Sequence, residues 1–355
     1  MDDLPHLAPL EDLYALAAEE LDDELPPPRD FGDPIHYTYR EWSLDEWAES
    51  NCLKYTRFTK GQIYTLVQLL RFDDIEYNAG LKPTAVMACC VFLRRLAFSA
   101  RWLDLQELFG RSAGWLSTVF TCAVKHVNET FGWLLDWHPR LRSYRRLHRF
   151  ANAVEKKCWG RIWGFIDGHF KPMARPLQRQ RDVYSGHAKT HGMKFSAIVT
   201  PDGMVYCFEG PYIGKQNDWL MWTESRAVRR LRSMMAPPRP CLYLYGDPAY
   251  HCTFGVCAPF VGNQLTAEQQ YFNSKLSSCR ISVEHAFGEN WRQFQYLTSH
   301  KQLHAGNQAV GAMVRASVLL NNCMTCITGN QTSTRFGVEP LSVYEYLNPT
   351  NPAIL

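Results

Sequence analysis

Apolar residues recur at steps of three and four in "FTKGQIYTLVQLLRF" and "KPTAVMACCVFLRRLAF". That spacing belongs to one buried face of a helix, and the texture stays helical from about Leu44 to Phe131. Within it, "LDLQELFGRSAGWLSTVFTCAVKHVNETF" predicts a short helix from Asp104 to Phe109, a turn holding Gly110, Ser112 and Gly114, and a longer helix from Trp115. This is the helix-turn-helix pattern, and equally that of an ordinary helical hairpin. In a DNA reader the second helix would offer Ser117, Thr118, Thr121, Lys125 and Asn128. From Arg161 the pattern changes. "RIWGFID", "MKFSAIVT", "MVYCFEG" and "PCLYLYGD" read as strands, the second and third joined at "PDG" as a hairpin. "NDWLMWTESRAVRRLRSMM", capped by Asn217 or Asp218, and "CRISVEHAFGENWRQFQYL" read as helices. Three strands, helix, strand, loop and helix predict an α/β layer with a mixed sheet.

Four segments follow: an acidic tail over 1–30, a helical domain over 31–158, an α/β domain over 159–300, and a C-terminal helix and tail over 301–355 that pack on the core. In the tail, Leu4, Leu7, Leu10, Tyr14, Ala17 and Leu21 keep helical spacing until "LPPPRDFGDP" breaks it. An amphipathic helix and plain disorder are both compatible with that pattern.

Charge divides the chain more sharply than its net value of +3 suggests. Residues 1–30 hold ten acidic residues against Arg29, which leaves +12 on residues 31–355. Such a body suits a polyanion. "HPRLRSYRRLHRF" concentrates Arg140, Arg142, Arg145, Arg146 and Arg149, whose guanidinium forks fit phosphate oxygens; a solvated helix face would have the same composition. No run of about 18 uninterrupted apolar residues predicts a membrane span, and the acidic first residues lack the pattern of a secretory signal. An intracellular protein is expected. Cysteines such as Cys89, Cys90, Cys158, Cys207, Cys241 and Cys279 lie in apolar segments, as reduced buried thiols do. His300 and His304 with Cys323 and Cys326 spell a zinc-like spacing, although "VRASVLLNNCMTCI" also reads as a packed apolar helix.

"WGFID" and "YLYGD" each end an apolar run on an aspartate, Asp167 and Asp247, followed by the turn-formers Gly168 and Pro248. Adjacent strands would set these carboxylates side by side, where they repel unless a cation lies between them. Mg²⁺ suits such hard oxygen ligands. Glu284 is the expected third acid. It shares a helical face with Ile281, Phe287, Gly288 and Trp291 and so is predicted to point inward, with Arg280 four residues earlier as a possible ion-pair partner. Taken singly, each acid is also a plausible cap or turn.

At these residues the chain resembles the DDE superfamily nucleases of PIF/Harbinger-type transposases, from about Lys82 to Leu347. "FIDGHFKPMARP" is similar to the family's first aspartate block, and "YSGHAKTHGMKFSAIVTPDGMVYCFEGPYIGKQND" to its middle block. "YLYGDPAY" is similar to the second aspartate block and "FNSKLSSCRISVEHAFGENWRQF" to the glutamate block. "LQELFGRSAGWLSTVF" resembles its helix-turn-helix and "PLSVYEYL" its C-terminal end. The resemblance implies an RNase H-like DDE nuclease core over 159–300 beside an N-terminal all-α, helix-turn-helix-containing domain. It implies a catalytic triad of Asp167, Asp247 and Glu284, with Asp218 as a further metal ligand or only a helix cap. Two Mg²⁺ or Mn²⁺ ions per site are expected, for cutting transposon ends and joining 3′-OH ends to target DNA. Double-stranded DNA, a Myb-like helper protein and further copies of the chain are the expected partners, and the nucleus the expected location, reached with the helper's aid, or the cytoplasm otherwise. His169, Lys171, His187 and Lys194 lie near enough in sequence to touch a phosphate or to be surface residues. Two departures stand out: only Arg292 follows the glutamate block, where the family carries a basic run, and Pro248 replaces a small polar residue. The alternative is a domesticated, non-catalytic DNA-binding or adaptor protein.

Overall fold

The computed structural model describes residues 39–77, 80–158, 160–177, 180–305 and 308–350, so the acidic tail over 1–30 lies outside the described residues. The first half is helical: α1 (Glu49–Thr56), α2 (Lys60–Leu69), α3 (Ala85–Ala97), α4 (Trp102–Phe109), α5 (Ala113–Phe131) and α6 (Tyr144–Glu155). Local chemistry sets the boundaries. Thr59 and Gln62 cap the start of α2 reciprocally. Gly110, at φ +61°, closes α4 in the left-handed conformation that glycine adopts without steric penalty, and Ser112 opens α5 by accepting from Trp115 N–H. The α3 helix is central, with Ala88, Cys89, Cys90, Val91, Phe92 and Leu93 all fully buried.

The sheet is built from β1 (Ile162–Pro172), β2 (Tyr184–Ser185, after the single turn α7, Gln180–Val183), β3 (Thr190–Val199), β4 (Val205–Ile213), β5 (Tyr243–Tyr245) and β6 (Val256–Cys257). Helices α8 (Asp218–Glu224) and α9 (Arg226–Met234) lie between β4 and β5; α10 (Ala267–Gln293), α11 (Val310–Thr328), α12 (Gln331–Phe336) and α13 (Val343–Leu347) follow β6. Across the sheet the order is β4–β3–β1–β5–β6, with β2 paired to the start of β3. β3 runs antiparallel to both of its neighbours, β4 and β1, whereas β1, β5 and β6 are parallel. The expected mixed sheet is therefore present.

At the "PDG" turn, buried Asp202 organises the hairpin. Thr200 Oγ1 and Tyr206 OH (2.9 Å) donate to its carboxylate, and Arg146 lies 3.6 Å away. The outer edge of β4 is closed by side chains rather than left open. Asn322 of α11 donates to Val205 C=O at 2.7 Å and accepts from Val205 N–H at 2.9 Å. One buried apolar cluster runs from Leu44 to Leu347, so helices and sheet share a core.

By length and composition α11 could cross a membrane, but 72% of its most apolar window is buried inside the protein, as in a core helix. One sequence expectation is corrected here. Cys158 and Cys279, expected as reduced thiols, are joined as a disulfide between the end of α6 and α10, with Cα atoms 6.7 Å apart. The remaining cysteines among the described residues are free.

Candidate active site

The site grows out of the register between two parallel strands. Phe165 of β1 pairs with Tyr245 of β5. Asp167 and Asp247 each stand two residues further on, so they reach the same level on neighbouring strands, as the sequence predicted. The turn expected after Asp167 does not occur: β1 continues through Gly168 to Pro172. Glycine is required there for another reason. A Cβ at residue 168 would lie 2.2 Å from Asp218 Oδ1. The missing side chain admits the Asp218 carboxylate, carried on the first turn of α8, against the backbone of β1. Asp247 lies just past β5 and accepts from Ala249 N–H at 2.9 Å, an Asx turn that fixes its carboxylate.

Electrostatics tie the three aspartates together. Burial pushes the Asp167 carboxyl up to about 7; Arg280 opposes this, while the charges of Asp247 and Asp218 add to it. The phenol of Tyr250, buried beneath them, is likewise pushed up by burial and by the charges of Asp218, Asp167 and Asp247. Two cations answer the acids. Lys194 Nζ meets Asp218 Oδ1 at 3.1 Å. Arg280 of α10 reaches Asp167 Oδ2 at 3.5 Å and Glu284 Oε1 at 2.8 Å.

Glu284 departs from its predicted orientation. Its side chain is 53% exposed, and Ile281 is 40% exposed. The buried face of α10 runs instead through Leu276, Cys279, Ala286, Phe287 and Asn290, which leaves Glu284 on its border beside the aspartates. The charges of Asp218 and Asp247 act on Asp167, and Glu284 is linked to it through Arg280; such hard oxygen donors are of the kind that Mg²⁺ or Mn²⁺ takes. Among the described residues no three His, Cys, Asp or Glu side chains close on a common ligand position; the guanidinium of Arg280 lies between Asp167 and Glu284.

Neighbouring positions differ from expectation too. His169, read as a surface residue, is half-buried and stacked on Phe287 (4.6 Å) and Trp291 (4.8 Å), where desolvation holds its pKa down at about 3. Lys171 is buried with its ammonium 3.9 Å from the centre of the Trp291 ring, and burial lowers it to about 7. These two residues anchor α10 to β1 rather than face solvent. Only His187 is exposed as a surface residue.

The basic segment divides. Arg140 reaches Glu345 at 3.8 Å, and Arg146 reaches Asp202 and Tyr206 OH, so neither is free for a phosphate as predicted. Helix periodicity explains the split: α6 buries Leu147, Phe150, Ala151 and Val154 and turns Arg145 and Arg149 outward. Exposed Arg142 and Arg145 line an open depression with Tyr144, His148 and Arg239. Arg239 lies over Tyr144, a contact between distant segments that sequence reading missed. On α5 the predicted reading face is largely engaged within the chain. Thr118 and Thr121 donate to carbonyls of their own helix, Asn128 donates to Val124 and Ala312 carbonyls, and Lys125 lies 3.8 Å from Glu129. The zinc-like spacing does not assemble: Cys323 is buried in α11, Cys326 meets Met204, and His300 and His304 are exposed.

Residues 166–322 match the family model of the DDE superfamily endonucleases. The matched span begins one residue before Asp167 and contains Asp218, Asp247 and Glu284. No curated protein and no solved structure matches the chain.

Proposed function

We propose, from this likeness to endonucleases, that the chain is a divalent-ion-dependent DNA nuclease of the transposase type. On this reading it cuts phosphodiester bonds at transposon ends and joins the freed 3′-OH to target DNA. The single observation that carries it is the Phe165–Tyr245 register, which sets Asp167 and Asp247 side by side within the matched span. Asp167, Asp247 and Glu284 would hold the ions, and Asp218 would assist. Bound Mg²⁺ or Mn²⁺ supplies Lewis-acid activation of a nucleophile and stabilises the departing 3′-oxygen. The chain's own part is orientation. The Asx turn fixes Asp247, and Gly168 makes room for Asp218. The stack of His169 on Phe287 and Trp291 holds α10, with Glu284, against β1.

The strand order, three antiparallel strands followed by two parallel ones, supports an RNase H-like core. The α4–Gly110–α5 unit supports a helix-turn-helix whose recognition face is not the one read from sequence. For the DNA backbone, Arg142, Arg145 and Arg149 together with Arg239 and Tyr144 are the proposed contacts. A Myb-like helper, self-association and nuclear residence belong to the same reading.

A nicking assay on duplexes carrying the element's own ends, with the helper supplied, tests it. Wild type should cleave with Mg²⁺ and not with EDTA, and Asp167→Asn and Asp247→Asn should bind DNA without cutting. Binding without cleavage by wild type would favour the non-catalytic adaptor. Cleavage retained by both variants would remove the acids from the chemistry.

A further inference from the structure

Arg280 is the feature of the site that the proposed chemistry leaves unexplained. Its guanidinium contacts Asp167 Oδ2 at 3.5 Å with one nitrogen and Glu284 Oε1 at 2.8 Å with the other. It therefore joins an acid on β1, 113 residues away from it in the chain, to an acid one turn further along α10. Oxygens sharing one Mg²⁺ sit about 2.0–2.1 Å from the ion in near-octahedral geometry, so they lie roughly 3 Å from each other. The guanidinium that contacts both carboxylates stands where an ion shared by them would sit, and its positive charge repels that ion. Arginine cannot withdraw by losing its proton at any working pH; it can leave only for another anion.

Building on the nuclease reading above, we propose that Arg280 is an internal counterion that keeps Asp167 and Glu284 apart in the ion-free chain, and that it exchanges these carboxylates for a DNA phosphate when a divalent ion binds. The side chain is 25% exposed, so its head can reach a ligand without unfolding α10. A planar fork that binds two carboxylate oxygens binds two phosphate oxygens equally well. The exchange is ionic throughout, and no bond to carbon or phosphorus is made or broken. It couples the two ligands: DNA supplies the anion that frees the acids, and the ion takes the acids that Arg280 releases.

The test is a calorimetric titration of the full-length chain with Mn²⁺ alone. Wild type, Arg280→Gln, Arg280→Lys, Asp167→Asn and Lys275→Gln would be compared, each first checked for an unchanged melting transition. Lys275 lies on the same helix over Tyr271 and controls for general charge. Arg280→Gln should bind Mn²⁺ about tenfold more tightly, corresponding to about 1.4 kcal/mol. Arg280→Lys, which keeps the charge, should remain close to wild type, as should Lys275→Gln, while Asp167→Asn should lose binding. A second arm measures duplex DNA binding in Ca²⁺. There Arg280→Gln should show a salt slope smaller by about one unit than wild type, and without a divalent ion the two slopes should coincide. Equal Mn²⁺ affinity in wild type and Arg280→Gln, or weaker binding in the variant, overturns the counterion role and leaves the nuclease reading intact. Mn²⁺ binding by neither protein overturns the ion site itself.

Discussion

A methyl group at residue 168 would overlap the Asp218 carboxylate, a contact that no rotation of the methyl relieves. Gly168→Ala should lower stability by about 1–3 kcal/mol, as overpacking does, and should displace Asp218. Thermal melting paired with Mn²⁺ titration checks both effects; an unshifted melt would mean that α8 moves aside without penalty. His138 is a second residue whose environment dictates its chemistry. It is fully buried between the rings of Tyr206 and Tyr346; Nδ1 accepts from Arg140 N–H at 3.2 Å, and Nε2 lies 2.9 Å from Tyr346 C=O. Both nitrogens are satisfied in the neutral ring, and burial holds its pKa down at about 4. The unfolded chain takes up this proton near pH 6.5 and the folded chain only near 4. The contribution of neutral His138 is thus complete above pH 6.5 and is lost as pH falls toward 4. The loss amounts to about 3 kcal/mol. Urea midpoints from pH 7 to pH 4 should fall in wild type, and His138→Phe should flatten that slope.

At the scale of elements, α6 separates two kinds of arginine that look alike in sequence. Arg146 faces inward to Asp202, which burial raises above the usual carboxylate range despite its hydrogen bonds. Arg146→Ala should cost about 3–5 kcal/mol, because it leaves a buried carboxylate without its cation. Arg149→Ala should leave stability within about 0.5 kcal/mol, as exposed substitutions do, and weaken DNA binding. Parallel denaturation and binding curves distinguish them, and equal losses of stability would remove the assigned inward and outward roles. Sequence reading could locate the helix and its arginines, since periodicity is local, but not the partners. Asp202, Glu345 and Asp167 lie 56, 205 and 113 residues from the arginines they pair with. The strands ending in aspartate and the "PDG" hairpin were legible for the same local reason. The orientation of Glu284 was not, because α10 follows a long polar first half and its buried face is set by where β1 and α12 meet it. Gly168 looked like a turn because Asp-Gly is a turn signal wherever a strand can stop; here a carboxylate from α8 needs the space.

For the whole molecule, exposed Arg142 and Arg145 lie beside Tyr144, whose hydroxyl donates to Pro240 C=O just before β5, at the end of the sheet where Ile162 pairs with Tyr243. Ile162 and Asp167 are five steps apart on the strand, about 16 Å, and α6 leads into the Ile162 end. A duplex contacting both would run along the molecule and meet several phosphates. Log binding constant against log salt should fall linearly, and replacing Arg142, Arg145 and Arg149 together should reduce the slope by about 2.7. A slope unchanged by the triple variant would place the backbone contacts elsewhere.

The bond between Cys158 and Cys279 makes part of the chain a closed covalent ring. Every strand of the sheet, and with them Asp167, Asp218 and Asp247, lies inside the ring, whereas Glu284 lies just beyond its closure. Topology then governs what a break in the backbone does. A protease cut at Leu177, 93% exposed within the ring, severs the path between the first aspartate and the other two without releasing either piece. The nicked protein should run as one species on a denaturing gel and separate into two only after reduction, whereas a cut beyond Cys279 should release its fragment under either condition.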